Sequence, residues 1–233
     1  RKDNLLAKKI KRQFLSINSF LENNFNNLTF FLKNLKKNKL GTNSKVILGL
    51  GVSLILILTY FLLPTFNNKD QIQAEIENHI LKKYNIDLVF NEDVYYSLIP
   101  SPHYFSKNAS ILKDKKKIAK VKNIKFVISS KNLFTFNKIS IKDIILTNAD
   151  FNIQLNDLTF FQELLKTEPN ENKIVIKNSN IFYENKYEEI LFINKIRNSK
   201  FFYDSKNLQN VLISENKIFN LPFKLLIKND KFN

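Results

Sequence analysis

Histidine is the side chain best suited to acid–base catalysis near neutral pH, and the 233-residue sequence contains two, His79 and His103. A catalytic histidine needs a nucleophile or an orienting acid within hydrogen-bond reach. Neither histidine has such a partner at a recognisable spacing in the sequence. We therefore expect both to be packing or surface residues, and we expect no catalytic residues in this chain.

Acidic side chains provide one candidate metal site, formed by Glu75, Glu77 and His79. If this segment is helical, positions i, i+2 and i+4 do not share one face, so the three side chains cannot converge on an ion. The sequence has no cysteine, which removes thiolate ligands, disulfides and cysteine nucleophiles. We predict neither a metal site nor a cofactor.

Glycine occurs only at positions 41, 49 and 51. Phosphate-binding loops and dinucleotide-binding fingerprints need glycines, so both motifs are excluded after residue 51. Turns in that part of the chain must use Asn and Asp, which tolerate left-handed backbone conformations. We predict turns at Asn148, Asn178, Asn180, Asn185 and Asn216.

The formal net charge of +16 is concentrated at the start of the sequence. Residues 1–45 hold 11 Lys or Arg against Asp3 and Glu22, a net charge of +9. A basic tail favours nucleic acid or an anionic membrane surface. Because this tail adjoins a hydrophobic run, we predict the membrane and no nucleic-acid partner. The later basic run Lys113–Lys117 is interpreted as a charged hairpin tip.

Eighteen consecutive residues, Val46–Leu63, carry no charge. As a helix they would rise ~27 Å, close to the hydrocarbon thickness of a bilayer. A buried core helix is the alternative. The run is long for a signal peptide and lacks small residues at a cleavage site, so we predict an uncleaved anchor. Lysines are dense before the run, and the positive-inside rule therefore places the N-terminus in the cytoplasm.

The sequence is accordingly divided into a basic cytoplasmic tail (1–45), a transmembrane helix (46–63) and an exported β-rich domain (65–233). In a Gram-negative cell the domain lies in the periplasm. Apolar residues of the tail follow helical spacing, which favours an amphipathic helix on the membrane, whereas the asparagines at 23–27 favour a loosely ordered tail. Both interpretations stay open. The absence of Met and the strand-like run before Asn233 indicate a fragment that is incomplete at its C-terminus.

The exported part begins with a predicted helix, Asp70–Tyr84, in which Ile72, Ile76 and Ile80 recur every four residues. From Ile86 onward apolar and polar residues alternate, which predicts antiparallel strands with one solvated face. The alternating runs are 124–128, 139–141, 151–155, 174–176 and 225–227. Helical turns are predicted at Thr159–Thr167 and Lys131–Thr135. The predicted fold class is α+β: a transmembrane helix, then a helix and a mainly antiparallel, curved β-sheet that forms a groove.

The order of these parts resembles the N-terminal region of the AsmA-like family of bacterial envelope proteins. The resemblance rests on the basic start, the anchor helix, the pattern Ile72-x3-Ile76-x3-Ile80 and the segment Val94-Tyr-Tyr-Ser-Leu-Ile-Pro-Ser-Pro102. It continues through the segments 108–111, 118–128, 132–134, 139–146, 149–153 and 173–183. It covers about residues 46–200, although a glycine usual in the family is missing at Ser179 or Asn180.

This resemblance implies an inner-membrane protein with a long β-groove, related in architecture to TamB-like lipid carriers. Such proteins move phospholipid towards the outer membrane or maintain that membrane, and no catalytic residue carries over. We therefore expect a non-enzymatic protein whose ligand is phospholipid; its protein partners in the envelope are not identified. The expected lipid-contact residues are Ile124, Phe126, Ile128, Ile139, Ile141, Phe151 and Ile153.

Two alternatives stay open. The same alternation is produced by a closed β core, in which case the protein is an envelope scaffold or assembly protein. The other alternative is a membrane-tethered enzyme whose active site lies outside this sequence.

Overall fold

A computed structural model describes residues 42–129, 139–157, 159 and 172–230. The chain divides into two compact units, one ending at Ile57 and the other beginning at Leu58. The predicted helix of the basic tail and the predicted helical turn Lys131–Thr135 lie outside the described residues, and of the predicted turn Thr159–Thr167 only Thr159, which is helical, is described.

Helix α1 spans Thr42–Leu62 and is followed by a 3-10 helix, Leu63–Phe66, with Pro64 in its first turn. Among the described residues, Lys45–Phe66 is the one helix long and apolar enough to cross a membrane. Every residue from Lys45 to Thr59 is exposed in the described part of the chain, as the predicted anchor requires and a core helix does not. That it crosses a membrane stays a prediction from its length and composition.

Helix α2 spans Lys69–Tyr84, close to the predicted bounds. The side chain of Asn68 accepts a hydrogen bond from the Asp70 N–H at 2.9 Å and so caps the N-terminus. At the other end Asn85 adopts a left-handed conformation with φ 53°, and its N–H donates to the Leu81 carbonyl. These two asparagines explain where the helix begins and ends.

The strands follow α2 in an open sheet of nine. They are β1 (Asp87–Phe90), β2 (Tyr95–Ser97), β3 (His103–Lys113), β4 (Lys116–Ile128), β5 (Ile141–Gln154), β6 (Lys173–Glu184), β7 (Ile190–Asp204), β8 (Gln209–Ile218) and β9 (Leu221–Asp230). The order across the sheet is β1-β3-β4-β5-β6-β7-β8-β9, and β2 also pairs with β3.

Adjacent strands are antiparallel except for β5 and β6, which pair in parallel from Asp143↔Lys173 to Gln154↔Glu184. A parallel neighbour needs a crossover connection, and here residues 155–172 supply it. The predicted α+β class with a mainly antiparallel sheet is confirmed, and the parallel pair is a feature that the alternation did not predict.

The prediction of turns at five asparagines is wrong for four of them. Asn185 lies in the turn between β6 and β7, but Asn148, Asn178, Asn180 and Asn216 lie inside strands. Asn148 and Asn178 do adopt left-handed conformations, with φ of 54° and 48°. The preference of Asn for this conformation was therefore recognised correctly, but it serves irregular positions within strands.

Candidate lipid-contact surface

One face of the sheet packs against helix α2 to form the hydrophobic core. Ile72, Ile76, Ile80 and Tyr84 occupy one side of the helix and are buried together with residues of β1, β3, β4 and β5. Tyr60 and Phe61, which belong to the same compact unit, pack against this cluster. The apolar alternation read from the sequence is thus the inner face of a closed core over this part of the sheet.

The seven lipid-contact residues predicted from the sequence all belong to this cluster or pack against it. Their exposed fractions are Ile124 2%, Phe126 0%, Ile128 7%, Ile141 6%, Phe151 7% and Ile153 5%, and Ile139 is half-buried. Helix and sheet leave these side chains almost no accessible surface. Direct contact with lipid at these positions stays a prediction that would need the helix to move.

The same face continues beyond the core towards β9. Directly opposed residues of neighbouring strands share a face, so the pairing defines rows that cross the sheet. One such row is Tyr104–Phe126–Ile144–Ile174–Phe201–Leu212–Ile227. A second row is Ile111–Ala119–Phe151–Ile181–Asn194–Ile218–Leu221. The predicted core residues and the apolar residues of β9 are therefore parts of one surface.

On β9 this surface is open to solvent. We define the β9 strip as Leu221, Phe223, Leu225 and Ile227. Leu221 is 72% exposed, Phe223 and Leu225 are each 39% exposed, and Ile227 is half-buried. An apolar strip rimmed by polar residues is typical of a surface that binds apolar ligands or partners. The β9 strip is thus the part of the apolar face to which a ligand has access.

Polar residues interrupt the face just inside the strip. Ser214 lies opposite Leu225 and Asn216 lies opposite Phe223, and the Ser214 hydroxyl donates to the Asn216 Oδ1 at 2.9 Å. Both residues are buried. The strip therefore borders a buried hydrogen bond between two polar side chains.

The other face of β9 is mostly polar. Lys224 and Lys228 point away from the strip because successive strand residues alternate between faces. Leu226, which is 58% exposed, lies on this opposite face and pairs with Ile213 of β8. Neighbouring leucines on opposite faces of one strand offer a matched comparison of the two surfaces.

A tyrosine pair on strands β2 and β3 links the sheet to the end of helix α1. The Tyr96 hydroxyl donates to the Phe61 carbonyl at 2.7 Å, and the rings of Tyr96 and Tyr104 lie 5.5 Å apart. Burial, with the neighbouring Tyr104, raises the pKa of Tyr96 to about 12. Burial likewise raises the pKa of Tyr104. Both hydroxyls therefore stay protonated and able to donate over the neutral range.

The histidines occupy ordinary structural positions. His79 lies on α2, and His103 is buried on β3, where its Nδ1–H donates to the Ser101 carbonyl at 2.7 Å. Within the described part of the chain, no group of three or more His, Asp or Glu side chains is placed to hold a metal ion.

Comparison with known proteins adds no family assignment. No protein-family model matches the chain, and no curated protein matches it. The interpretation of the apolar surface therefore depends on the geometry of that surface and on the resemblance of the sequence to AsmA-like proteins.

Leu221, Phe223 and Leu225 are exposed residues that the sequence-based prediction of lipid-contact residues missed. The run from Leu221 to Ile227 alternates apolar and other residues as clearly as the predicted core strands do. Alternation identifies the residues of one face, but it carries no information about which stretch of that face a helix covers. Coverage could not be predicted because α2 packs on strands distant from β9 in sequence.

Proposed function

We propose that this chain is a membrane-anchored protein of the bacterial envelope that binds phospholipid acyl chains along the apolar face of its sheet. In this proposal α1 is a single-pass anchor in the inner membrane, the N-terminus is cytoplasmic, and the sheet is periplasmic. The protein takes part in phospholipid transport or in the maintenance of the outer membrane, as its resemblance to AsmA-like proteins implies.

The observation that carries the proposal is the continuity between the core face and the β9 strip. The row that ends at Ile227 is apolar from the core to β9, Leu221, Phe223 and Leu225 lie beside Ile227 on the same face, and no described element covers them. Burying apolar surface contributes about 25 cal/mol for each Å² removed from water, so an acyl chain laid along such a strip gains free energy without any specific polar contact.

We further propose that the sheet is curved into a groove. Support comes from Asn108, Asn148 and Asn178, which are left-handed residues inside β3, β5 and β6. They lie at the same level of the sheet, since Ala109 pairs with Val121 and Val121 with Ala149, and the pairs Thr147–Lys177 and Asp150–Asn180 bracket Asn148 and Asn178. Irregular residues of this kind bend the strands that contain them.

The experiment compares Leu225→Glu with Leu226→Glu in the full chain. Phospholipid that co-purifies with the folded protein is counted by native mass spectrometry. We expect Leu225→Glu to lose bound phospholipid, because a carboxylate on the apolar face repels acyl chains, and Leu226→Glu to keep it. Equal lipid content in the two folded variants would contradict the proposal.

A second candidate function is a scaffold whose sheet is a closed core. The burial of Phe126 and the other predicted residues favours it. A scaffold of this kind purifies without bound lipid, and neither leucine variant changes the amount of bound lipid. Lipid-free, folded wild-type protein is therefore the result that would favour this second candidate.

A further inference from the structure

A cavity of about 980 Å³ lies over strands β6 to β9. Its lining residues are Asn178, Ser179, Asn180, Lys195, Ile196, Arg197, Glu215, Asn216, Lys217, Asn220, Pro222, Phe223 and Lys224. Its volume is in the range of cavities that hold small molecules. The lining combines side-chain amides, which can donate hydrogen bonds, with four cationic side chains and one carboxylate.

The carboxylate is already paired. Glu215 Oε1 lies 3.5 Å from Lys224 Nζ, which compensates the charge of that lysine. Within the described residues, Lys195, Arg197 and Lys217 form no ion pair with a carboxylate. Three positive charges in the cavity wall are therefore left without a counter-charge from the described protein.

Two of these charges lie side by side on neighbouring strands. Lys195 of β7 is directly opposite Lys217 of β8. Directly opposed residues have Cβ atoms about 5 Å apart, and like charges at such positions destabilise the pair of strands. Both strands are interior strands of the sheet, so neither lysine blunts an exposed edge. A bound anion would convert this repulsion into attraction.

The third charge, that of Arg197, lies at an irregularity of strand β7. Between Ile196 and Asn198 the register of β7 against β8 shifts, so Arg197 is the extra residue of a β-bulge. Bulges are over-represented next to functional sites because they re-aim a side chain. A guanidinium binds phosphate oxygens in a bidentate manner, and an ammonium group adds a compact charge.

We infer that this cavity binds a phosphate group, carried by a phosphate monoester or diester, through Lys195, Lys217 and Arg197. The site goes beyond the proposed acyl-chain function, because Lys217 and Lys224 lie on the opposite face of their strands from Asn216 and the β9 strip, and only Asn216 and Phe223 border both the strip and the cavity. The phosphate belongs either to a soluble molecule or to a lipid headgroup, and the two sources share the same recognition chemistry.

The test is isothermal titration of the full chain in a non-ionic detergent. Two probes are used: inorganic phosphate, and dihexanoyl phosphatidylglycerol below its micelle concentration, with the zwitterionic dihexanoyl phosphatidylcholine for comparison. The variant is Lys195→Gln with Lys217→Gln. Its control is Lys200→Gln with Lys228→Gln, which removes the same charge from β7 and β9 outside the cavity lining.

We expect the cavity variant to bind the phosphate probes about tenfold or more weakly than wild type, and the control to bind them as wild type does. Binding of inorganic phosphate identifies a soluble phosphate as a sufficient ligand. Binding of the phosphatidylglycerol probe alone, when it depends on the two lysines, identifies a headgroup. Affinities that are unmeasurable in wild type, or equal in wild type and the cavity variant, would overturn the inference.

A second variant keeps the test independent of folding defects. Lys195→Glu places opposite charges across β7 and β8, so its melting temperature in phosphate-free buffer should exceed that of wild type. Added phosphate should raise the melting temperature of wild type and leave that of the variant unchanged. A similar phosphate-induced rise in both proteins contradicts the site. The variant Leu225→Glu should bind inorganic phosphate as wild type does, which separates this inference from the acyl-chain proposal.

Discussion

Ser179 is a buried hydroxyl at the contact between β5 and β6, and it shows how one side chain supports an irregular backbone. Its Oγ accepts a hydrogen bond from the Ala149 N–H at 3.0 Å and donates to the Lys177 carbonyl at 2.8 Å. The residue is 1% exposed, so no water replaces these bonds on its removal. The left-handed residues Asn148 and Asn178 interrupt the backbone pairing of β5 with β6, and the Ser179 hydroxyl accepts the hydrogen bond of the Ala149 N–H in its place.

For this reason Ser179→Ala should lower the free energy of unfolding by about 1–3 kcal/mol, the cost of leaving a buried N–H unpaired. Denaturant titration measures the change. Ser205→Ala, in the exposed turn after β7, is the control, and its effect should stay within about 0.5 kcal/mol. A neutral effect of Ser179→Ala would show that the Ala149 N–H is satisfied without the hydroxyl.

The raised pKa values of Tyr96 and Tyr104 lead us to expect that the folded protein loses stability at alkaline pH. The pKa of Tyr96 is raised from 10.0 to about 12 in the folded protein, so above pH 10.0 the unfolded chain ionises first. The contribution is fully present below pH 10.0 and is lost as the pH rises towards about 12. A tyrosinate also cannot donate to the Phe61 carbonyl.

Melting temperatures measured on both sides of pH 10.0 test this expectation. Tyr96→Phe should be less stable than wild type near neutral pH and should lose less stability in alkali. Tyr187→Phe, at a position that is 71% exposed, is the control and should follow the wild-type pH profile. An identical alkaline decline in all three proteins would exclude Tyr96 as its source.

At the scale of elements, the strands are shaped by asparagines followed by small residues. Asn108–Ala109, Asn148–Ala149 and Asn178–Ser179 repeat the same pair in β3, β5 and β6, and the small residues are at most 1% exposed. The asparagine supplies the positive φ that glycine supplies in other proteins. The small residue then lets neighbouring strands approach at that level.

Replacing Asn148 with Val should therefore cost about 1–2 kcal/mol, because a β-branched residue resists the left-handed conformation even inside a strand. Asn148→Gly should leave stability nearly unchanged. Lys142→Val, at an exposed position of β5 with an ordinary φ, is the matched control and should not destabilise. Chemical denaturation of the three variants decides the outcome, and equal stability of Asn148→Val and wild type would contradict it.

These elements also show what the sequence could predict. Helix α2 was predictable because Ile72, Ile76 and Ile80 repeat with its period and the flanking charges suit its dipole. The strands were predictable from alternation, but their partners were not, since the pairing of β5 with β6 depends on a crossover rather than on a turn. Likewise, Phe126 and Leu225 belong to the same kind of alternating apolar run. Phe126 is buried and Leu225 is exposed because helix α2 packs on the part of the face that contains Phe126.

At the scale of the whole molecule, the absence of cysteine makes the proposed topology directly testable. Single cysteines are introduced by Asn220→Cys, in the exposed turn between β8 and β9, and by Lys39→Cys, in the basic tail. A membrane-impermeant maleimide is applied to cells whose outer membrane has been permeabilised. We expect the label at position 220 and, until the inner membrane is lysed, none at position 39. The reverse pattern, or labelling of both positions in intact spheroplasts, would refute the orientation.

The parallel pairing of β5 with β6 also has a consequence for the order of folding. Asp114 and Lys115 join β3 to β4, and Phe219 and Asn220 join β8 to β9, whereas residues 155–172 separate β5 from β6. Contacts between close neighbours in sequence form with little loss of chain entropy, and contacts across a long connection form more slowly. Strands β3 to β5 and strands β6 to β9 can therefore form as two antiparallel meanders of low contact order. Their junction then forms late, so during synthesis the core under α2 can assemble before the strand that carries the open apolar strip has left the ribosome.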